Sequence, residues 1–253
     1  MKTLFIGQKA IHLSSVDSTN SYASELLRQI APSDGTLVYT FEQTNGRGQR
    51  GNTWLGEANR NVALSLILHP TFLSIDEQFW LTKIASLATS DVLAETLLNQ
   101  GIDADICIKW PNDIYVGDKK IAGILIENNL RDRHIQNTVI GVGINVNQTE
   151  FPTSIPATSL QIIAGVEIDK QLLLERWCEF LEARYLQLKT NKRQLLDAAY
   201  LHRLYRLNIW ATFAENRITF EGKIIGVSNT GKLQLEMRNA GIREFDLKEI
   251  VFC

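Results

Sequence analysis

The run Gly46-Arg47-Gly48-Gln49-Arg50-Gly51-Asn52-Thr53-Trp54 sets glycines, cations and an indole side by side. Glycines let backbone N–H groups close on an anion, and Arg47 and Arg50 add charge and forked donors. Trp54 offers a flat face to a purine ring. The same spacing matches Gly-x-Gly-x-x-Gly, but a dinucleotide site needs a helix opening at the loop so that its N-terminus meets the pyrophosphate. Residues 61–68 that follow are strand-like, so the dinucleotide reading is weak. On the residues alone, an anion clamp with an aromatic platform and a solvated loop over a buried tryptophan stay equally open.

A second constellation is Lys109-Trp110-Pro111-Asn112-Asp113, followed by Gly117-Asp118-Lys119-Lys120-Ile121-Ala122-Gly123. Ile106, Ile108 and Trp110 alternate with Cys107 and Lys109, which turns Lys109 away from the isoleucine face. Pro111 is expected to end regular pairing, and Gly117-Asp118 to turn the chain back into a strand over 121–127. Lys109, Asn112, Asp113 and Lys120 then meet at one end of a sheet. Two cations with a carboxylate and an amide suit phosphate activation; a polar hairpin with lysines facing water is the alternative. In Ile140-Gly141-Val142-Gly143-Ile144-Asn145-Val146-Asn147, alternation leaves Gly141, Gly143 and Asn145 on one face. Glycine in a strand signals close approach, by a ligand or by a helix.

Helices and strands must hold these groups. A helix is expected from Ser18 to about residue 30, with Tyr22, Leu26 and Ile30 on one face, ended by Pro32-Ser33-Asp34-Gly35. Strands are expected at 36–41 and 61–68. Ser74 and Glu77 form a capping box opening a long helix whose apolar stripe is Leu81, Ile84, Ala85, Ala88 and Val92. Strands over 105–110, 121–127 and 138–146 come next. Helices over about 170–189, with Leu173, Trp177, Phe180 and Leu188 inward, and about 194–204 follow. From residue 207 the pattern changes to short strands at 208–214, 217–227, 232–238 and 242–252. The expected architecture is an α+β domain over 1–205 with a small barrel over 206–253.

Composition sets outer limits. The 253 residues are 45% hydrophobic and 21% charged, ordinary for a globular chain of one or two domains. A net charge of −2 shows no basic excess for a nucleic-acid partner. The apolar run at 4–6 is too short for a signal peptide, and the run at 121–126 too short for a membrane span. Cys107, Cys178 and Cys253 are widely spaced, without metal-like pairing, and fit a reducing cytoplasm. No protein metal site is expected.

Asp17-Ser18-Thr19-Asn20, then Gln43 with GRGQRGNTW, then KWPNDIYVGDKKIAG followed by GVGINVN, resemble the biotin–protein ligase family in order and separation, from about residue 12 to 252. The resemblance implies a catalytic domain related to class II aminoacyl-tRNA synthetases, with a mixed sheet, and a C-terminal SH3-like barrel. It implies two steps: biotin attacks the α-phosphate of ATP, with Mg²⁺, to give biotinyl-5′-AMP, and a lysine of a carboxylase's biotin carboxyl carrier domain takes the biotinyl group. By the same resemblance Ser18, Thr19, Asn20, Gln43, Gly48, Gln49 and Gly123 lie on the biotin side. Arg47 and Lys120 lie by the carboxylate and the activated phosphate, and Arg50, Trp54, Asn112 and Asn145 on the nucleotide side. Lys109 and Asp113 complete the catalytic set. Gln49 departs from the arginine many relatives carry, losing charge and the guanidinium fork.

Only sixteen residues precede Asp17, so the form without an N-terminal DNA-binding domain, hence without a repressor role, is expected. The family includes monomers and dimers joined by sheet edges near GINVN, so a homodimer is possible. The alternatives are a lipoate or octanoate transferase of the same fold, or a non-catalytic holder of biotinyl-AMP.

Overall fold

Along the central strands, small or polar side chains alternate with aliphatic ones, and this alternation gives the main sheet two different faces. The computed structural model describes residues 2–238, 241–247 and 249–253, without the Arg50 side chain. In chain order come β1 (Ala10–Leu13), α1 (Thr19–Gln29), β2 (Thr36–Thr40), β3 (Gly46–Arg47), β4 (Thr53–Trp54) and β5 (Val62–Leu68). Next are α2 (Phe79–Leu98), β6 (Ile106–Lys109), β7 (Asp113–Val116), β8 (Lys119–Arg131), β9 (His134–Ile144) and α3 (Leu160–Ala164). Then follow α4 (Lys170–Lys189), α5 (Arg193–His202), β10 (Trp210–Glu215), β11 (Ile218–Val227), β12 (Leu233–Met237), β13 (Gly241–Phe245) and β14 (Val251–Phe252).

The main sheet runs β1-β2-β5-β9-β8-β7-β6, with β1 parallel to β2 and the other pairs antiparallel. Register places Thr40, Ala63, Gly143, Gly123, Asp113 and Lys109 in one row across the sheet. The adjacent row is Val62, Ile144, Ala122, Ile114 and Ile108, all buried. That aliphatic face packs under α2 and α4, with Leu81, Ile84, Ala88, Trp177 and Leu181 fully buried. The row of small and polar residues is left to the other face.

There α1 covers one end, packing Ala23 against Val38, Ile67 and Val139. The expected face through Tyr22 and Ile30 is thus corrected: both are exposed, and the inward positions are Thr19, Asn20 and Ala23. Ser18 is the N-cap, and the helix is rotated to point Thr19 and Asn20 into the sheet. The capping box at Ser74 and Glu77 forms as expected, opening a short 3-10 turn that leads into α2.

Two other departures follow from pairing that local pattern does not reveal. Pairing of β6 stops at Lys109, before Pro111, as expected, but it resumes at Asp113. Residues 110–112 make a tight turn, β7 folds back on β6, and Gly117 then turns β7 into β8, giving two successive hairpins. The last expected strand divides into β13 and β14, which with β10, β11 and β12 form a five-stranded antiparallel sheet ordered β13-β12-β11-β10-β14. Strands β1, β3 and β4 and helix α3 were not expected.

The second sheet shares its core with the first through Phe213, Ile224, Leu235 and Phe245. It is also tied to the KWPND segment: Trp110 Nε1 donates to Gly231 O at 2.9 Å. On the edge of β6, Ile108 N–H donates to Arg203 O at 2.7 Å and Tyr205 N–H to Ile108 O at 2.9 Å. Among the described residues no helix is long and apolar enough to cross a membrane.

Candidate functional site

A cavity of about 370 Å³ stands on the row of small residues. It is enclosed by the start of α1, the β3–β4 hairpin, the turn between β6 and β7, and the C-terminal sheet. Its floor includes Ala63, Gly123, Gly141 and Gly143, where aliphatic side chains would fill the space.

One end is polar and cross-linked. Thr19 donates its N–H and its hydroxyl to Gln43 Oε1, at 2.9 and 3.3 Å. The Ser65 hydroxyl lies 2.6 Å from Asn20 Oδ1 and 2.8 Å from Thr19 Oγ1. Asn20 Nδ2 donates to Glu127 Oε2 at 3.0 Å, and Glu127 Oε1 accepts from Arg47 Nη2 at 2.7 Å. Arg47 therefore has a carboxylate partner at the rim. Gly141 makes room for this network, since a Cβ there would stand 2.0 Å from Asn20 Oδ1.

The middle is built around Trp54. The ladder of β3 with β4 sets Trp54 opposite Gly46, and its indole rests against Gly143 and Gly123. The two glycines of the GVGIN strand thus answer two needs: Gly141 admits a residue of α1, and Gly143 admits the indole. Lys120 Nζ lies 5.7 Å from the Trp54 ring centroid and 2.5 Å from Asp113 Oδ1. The Lys120 backbone is fixed from both sides, its N–H donating to Pro156 O and its carbonyl accepting from Thr158. Asn112 Nδ2 donates to Ile124 O at 2.7 Å, securing the turn beside them.

Ser18, Thr19, Asn20, Gln43, Arg47, Gly48, Gln49, Trp54, Asn112, Asp113, Lys120 and Gly123 all line this one cavity. Two expected residues stand apart. Lys109 reaches the same end of the sheet but turns its ammonium among aromatic rings, outside the lining. Asn145, expected on the glycine face, follows the last residue of β9, where strand alternation has ended. It is buried, with its N–H donating to Ile121 O and its Nδ2 to Thr158 O. The Arg50 side chain lies outside the described residues.

Sequence reasoning missed Ser65, Glu127 and the far wall of Leu247, Ile250, Val251 and Phe252. Ser65 had a signal, a lone hydroxyl in the otherwise aliphatic run 62–68. The far wall had none, because its approach to the site is purely tertiary. Among the described residues no cluster of three metal-ligating side chains occurs, and Asp113 is the carboxylate lining the cavity.

Residues 13–145 match the family model described as Biotin/lipoate A/B protein ligase family. The Bifunctional ligase/repressor BirA of Bacillus subtilis is 35% identical over 250 residues, covering 96% of this chain and 74% of that protein. The Biotin--[acetyl-CoA-carboxylase] ligase of Paracoccus denitrificans is 30% identical over 228 residues, covering 88% and 92%. Among solved structures, the biotin protein ligase from Aquifex aeolicus in complex with biotin and ATP superposes with a TM-score of 0.79 at 27% identity, covering 97% of this chain and 99% of that one.

Proposed function

The chain belongs to the biotin/lipoate A/B protein ligase family, and from that premise we infer that it is an ATP-dependent biotin–protein ligase. It joins the biotin carboxylate to the α-phosphorus of ATP, releasing pyrophosphate. The biotinyl group of biotinyl-5′-AMP then passes to the ε-amine of a carrier-domain lysine, and AMP leaves. The observation carrying this reading is the convergence of the segments around Thr19, Arg47 and Lys120 on one cavity.

Each residue has a part. Ser18, Thr19, Asn20 and Gln43 supply hydroxyls and amides suited to the ureido head of biotin, with Gly48, Gln49 and Gly123 alongside. Arg47 and Lys120 offset the repulsion between carboxylate and phosphate, a role that strengthens as negative charge gathers in the transition state. Asp113 holds the Lys120 ammonium in place. Trp54, Asn112 and Arg50 take the nucleotide side, and Asn145 supports it from beneath through Ile121 rather than by contact. Mg²⁺ is bound largely by substrate phosphates and water in such sites, at most with one or two carboxylates. Among the described residues Asp113 is the one acidic side chain lining the cavity, which fits a cation that arrives on ATP.

The domain division at 1–205 and 206–253, a synthetase-like catalytic domain and an SH3-like barrel belong to the same proposal. So do a cytoplasmic setting and a biotin carboxyl carrier domain of a carboxylase as acceptor. A homodimer is part of it as well, although over residues 138–144 β9 is paired on both sides and offers no free edge.

The deciding measurement is ATP–pyrophosphate exchange dependent on biotin, followed by transfer of labelled biotin to a carrier domain. Exchange is expected with biotin and not with lipoate or octanoate. Folded protein with Mg-ATP that exchanges nothing in the presence of biotin would overturn the reading, and is what a mere holder of biotinyl-AMP would give.

A further inference from the structure

Lys109 stands in the same sheet row as Asp113, yet its ammonium lies outside the cavity lining. Its Nζ is 4.7 Å from the ring centroid of Tyr115, 5.1 Å from that of Phe252 and 5.8 Å from that of Tyr205. It donates to the Tyr115 hydroxyl at 3.4 Å. Three rings from three parts of the chain thus surround one half-buried cation, and aromatic faces attract an ammonium most when water is excluded. Burial draws the Lys109 pKa below the ordinary lysine value, with Asp113 pulling the other way. That shift alone would suit a base, but the cage holds the amine among rings, outside the cavity lining.

Phe252 is the informative member. It belongs to β14, a two-residue strand that pairs Phe252 with Phe213 and Val251 with Ala214 of β10, extended by Cys253 N–H donating to Thr212 O at 3.1 Å. So short a ladder holds a strand weakly. Nevertheless Ile250, Val251 and Phe252 form the far wall of the cavity.

We propose that Lys109 is a positioning residue rather than a proton carrier: its caged ammonium fastens β14 to the β6–β7 hairpin and so holds the C-terminal wall over the nucleotide end of the cavity. The identity of that end rests on the ligase reading above. The fastening itself does not.

The test compares Lys109→Met, Lys109→Arg, Phe252→Leu and the double variant Lys109→Met/Phe252→Leu in the full chain. Amide hydrogen exchange at Val251 and Cys253, whose N–H groups face β10, is expected to speed up in Lys109→Met, relative to core amides of β5. Unchanged protection there would sink the clip whether or not the protein is a ligase. In steady-state exchange assays, KM for ATP is expected to rise roughly 5- to 30-fold in each single Met or Leu variant, as loss of one shielded cation–π contact would give. The Kd for biotin, the pH profile of kcat and kcat at saturating ATP should hold.

The double variant should be no worse than the poorer single one, and Lys109→Arg should recover most of the ATP affinity. A large fall in kcat for Lys109→Met with a lost limb in its pH profile, while Phe252→Leu behaves as wild type, would make Lys109 a proton carrier and overturn the proposal. Additive effects in the double variant would also overturn it. Wild-type protein without biotin-dependent exchange would count against the ligase reading alone, leaving hydrogen exchange to judge the clip.

Discussion

The Trp54 indole rests so closely on Gly143 that a Cβ at position 143 would stand 2.4 Å from Trp54 Cε2. The neighbouring contact at Gly123 is looser, at 3.1 Å to Cζ3. Trp54 is therefore seated by the sheet as well as by its own hairpin. Gly143→Ala should lift the ring at a steric cost of about 1–3 kcal/mol. The expected result is a rise of about tenfold in KM for ATP, equivalent to about 1.4 kcal/mol, with biotin affinity nearly unchanged. Steady-state exchange with ATP varied and calorimetric titration with biotin would check it, and an unchanged ATP KM would contradict the seating.

Lys120 and Asp113 form a pair only partly shielded from water, with side chains 28% and 25% exposed. Their importance therefore lies in placing a charge rather than in stability, since such pairs contribute little to folding. Lys120→Ala should slow biotin-dependent pyrophosphate exchange by about 10²–10³-fold, the usual loss for one preorganised electrostatic donor. Asp113→Asn should slow it less, because the cation remains but is no longer anchored. Equal rates in wild type and Lys120→Ala would remove Lys120 from the reaction.

Gln49 lines the cavity beside Gly48 and Asn52. Replacing it by arginine restores a charge and a planar fork, both suited to a phosphoryl oxygen. Gln49→Arg should slow dissociation of biotinyl-AMP by about tenfold, which corresponds to about 1.4 kcal/mol. Stopped-flow release of the adenylate measures this directly, and equal off-rates would contradict it.

Glu182, buried on α4, accepts the N–H groups of Leu4, Phe5 and Ile6 at 2.7, 2.9 and 3.0 Å. Removing it orphans backbone donors at a place water reaches poorly. Glu182→Ala should lower stability by about 3 kcal/mol, or Tm by roughly 6–12 °C for a chain of this size. Glu182→Gln, which keeps one acceptor oxygen, should lose less. Thermal unfolding followed by circular dichroism separates the two.

Much of the site was legible because its chemistry is local in sequence. The helix start at Ser18, the glycine-rich run before Trp54 and the alternation about Lys109 each depend on neighbours within a few residues, where side-chain type and backbone period carry the information. The long helix opened by Ser74 and Glu77 was legible for the same reason. The β6–β7 hairpin was not, since Pro111 signals a break in pairing but not that the chain will pair again on the far side of the turn.

Sequence by itself determined which groups this protein brings to chemistry: the arginine and indole of GRGQRGNTW, the lysines and aspartate of the KWPND segment, and small residues at alternate strand positions. Only the tertiary structure decided where each one points. It gave Asp113 to Lys120 and rings to Lys109, set Glu127 against Arg47, left Asn145 beneath the wall, and closed the cavity with Phe252. Those choices depend on strands distant in the chain meeting in a particular register, and register is fixed by burial summed over the whole sheet rather than by any one motif.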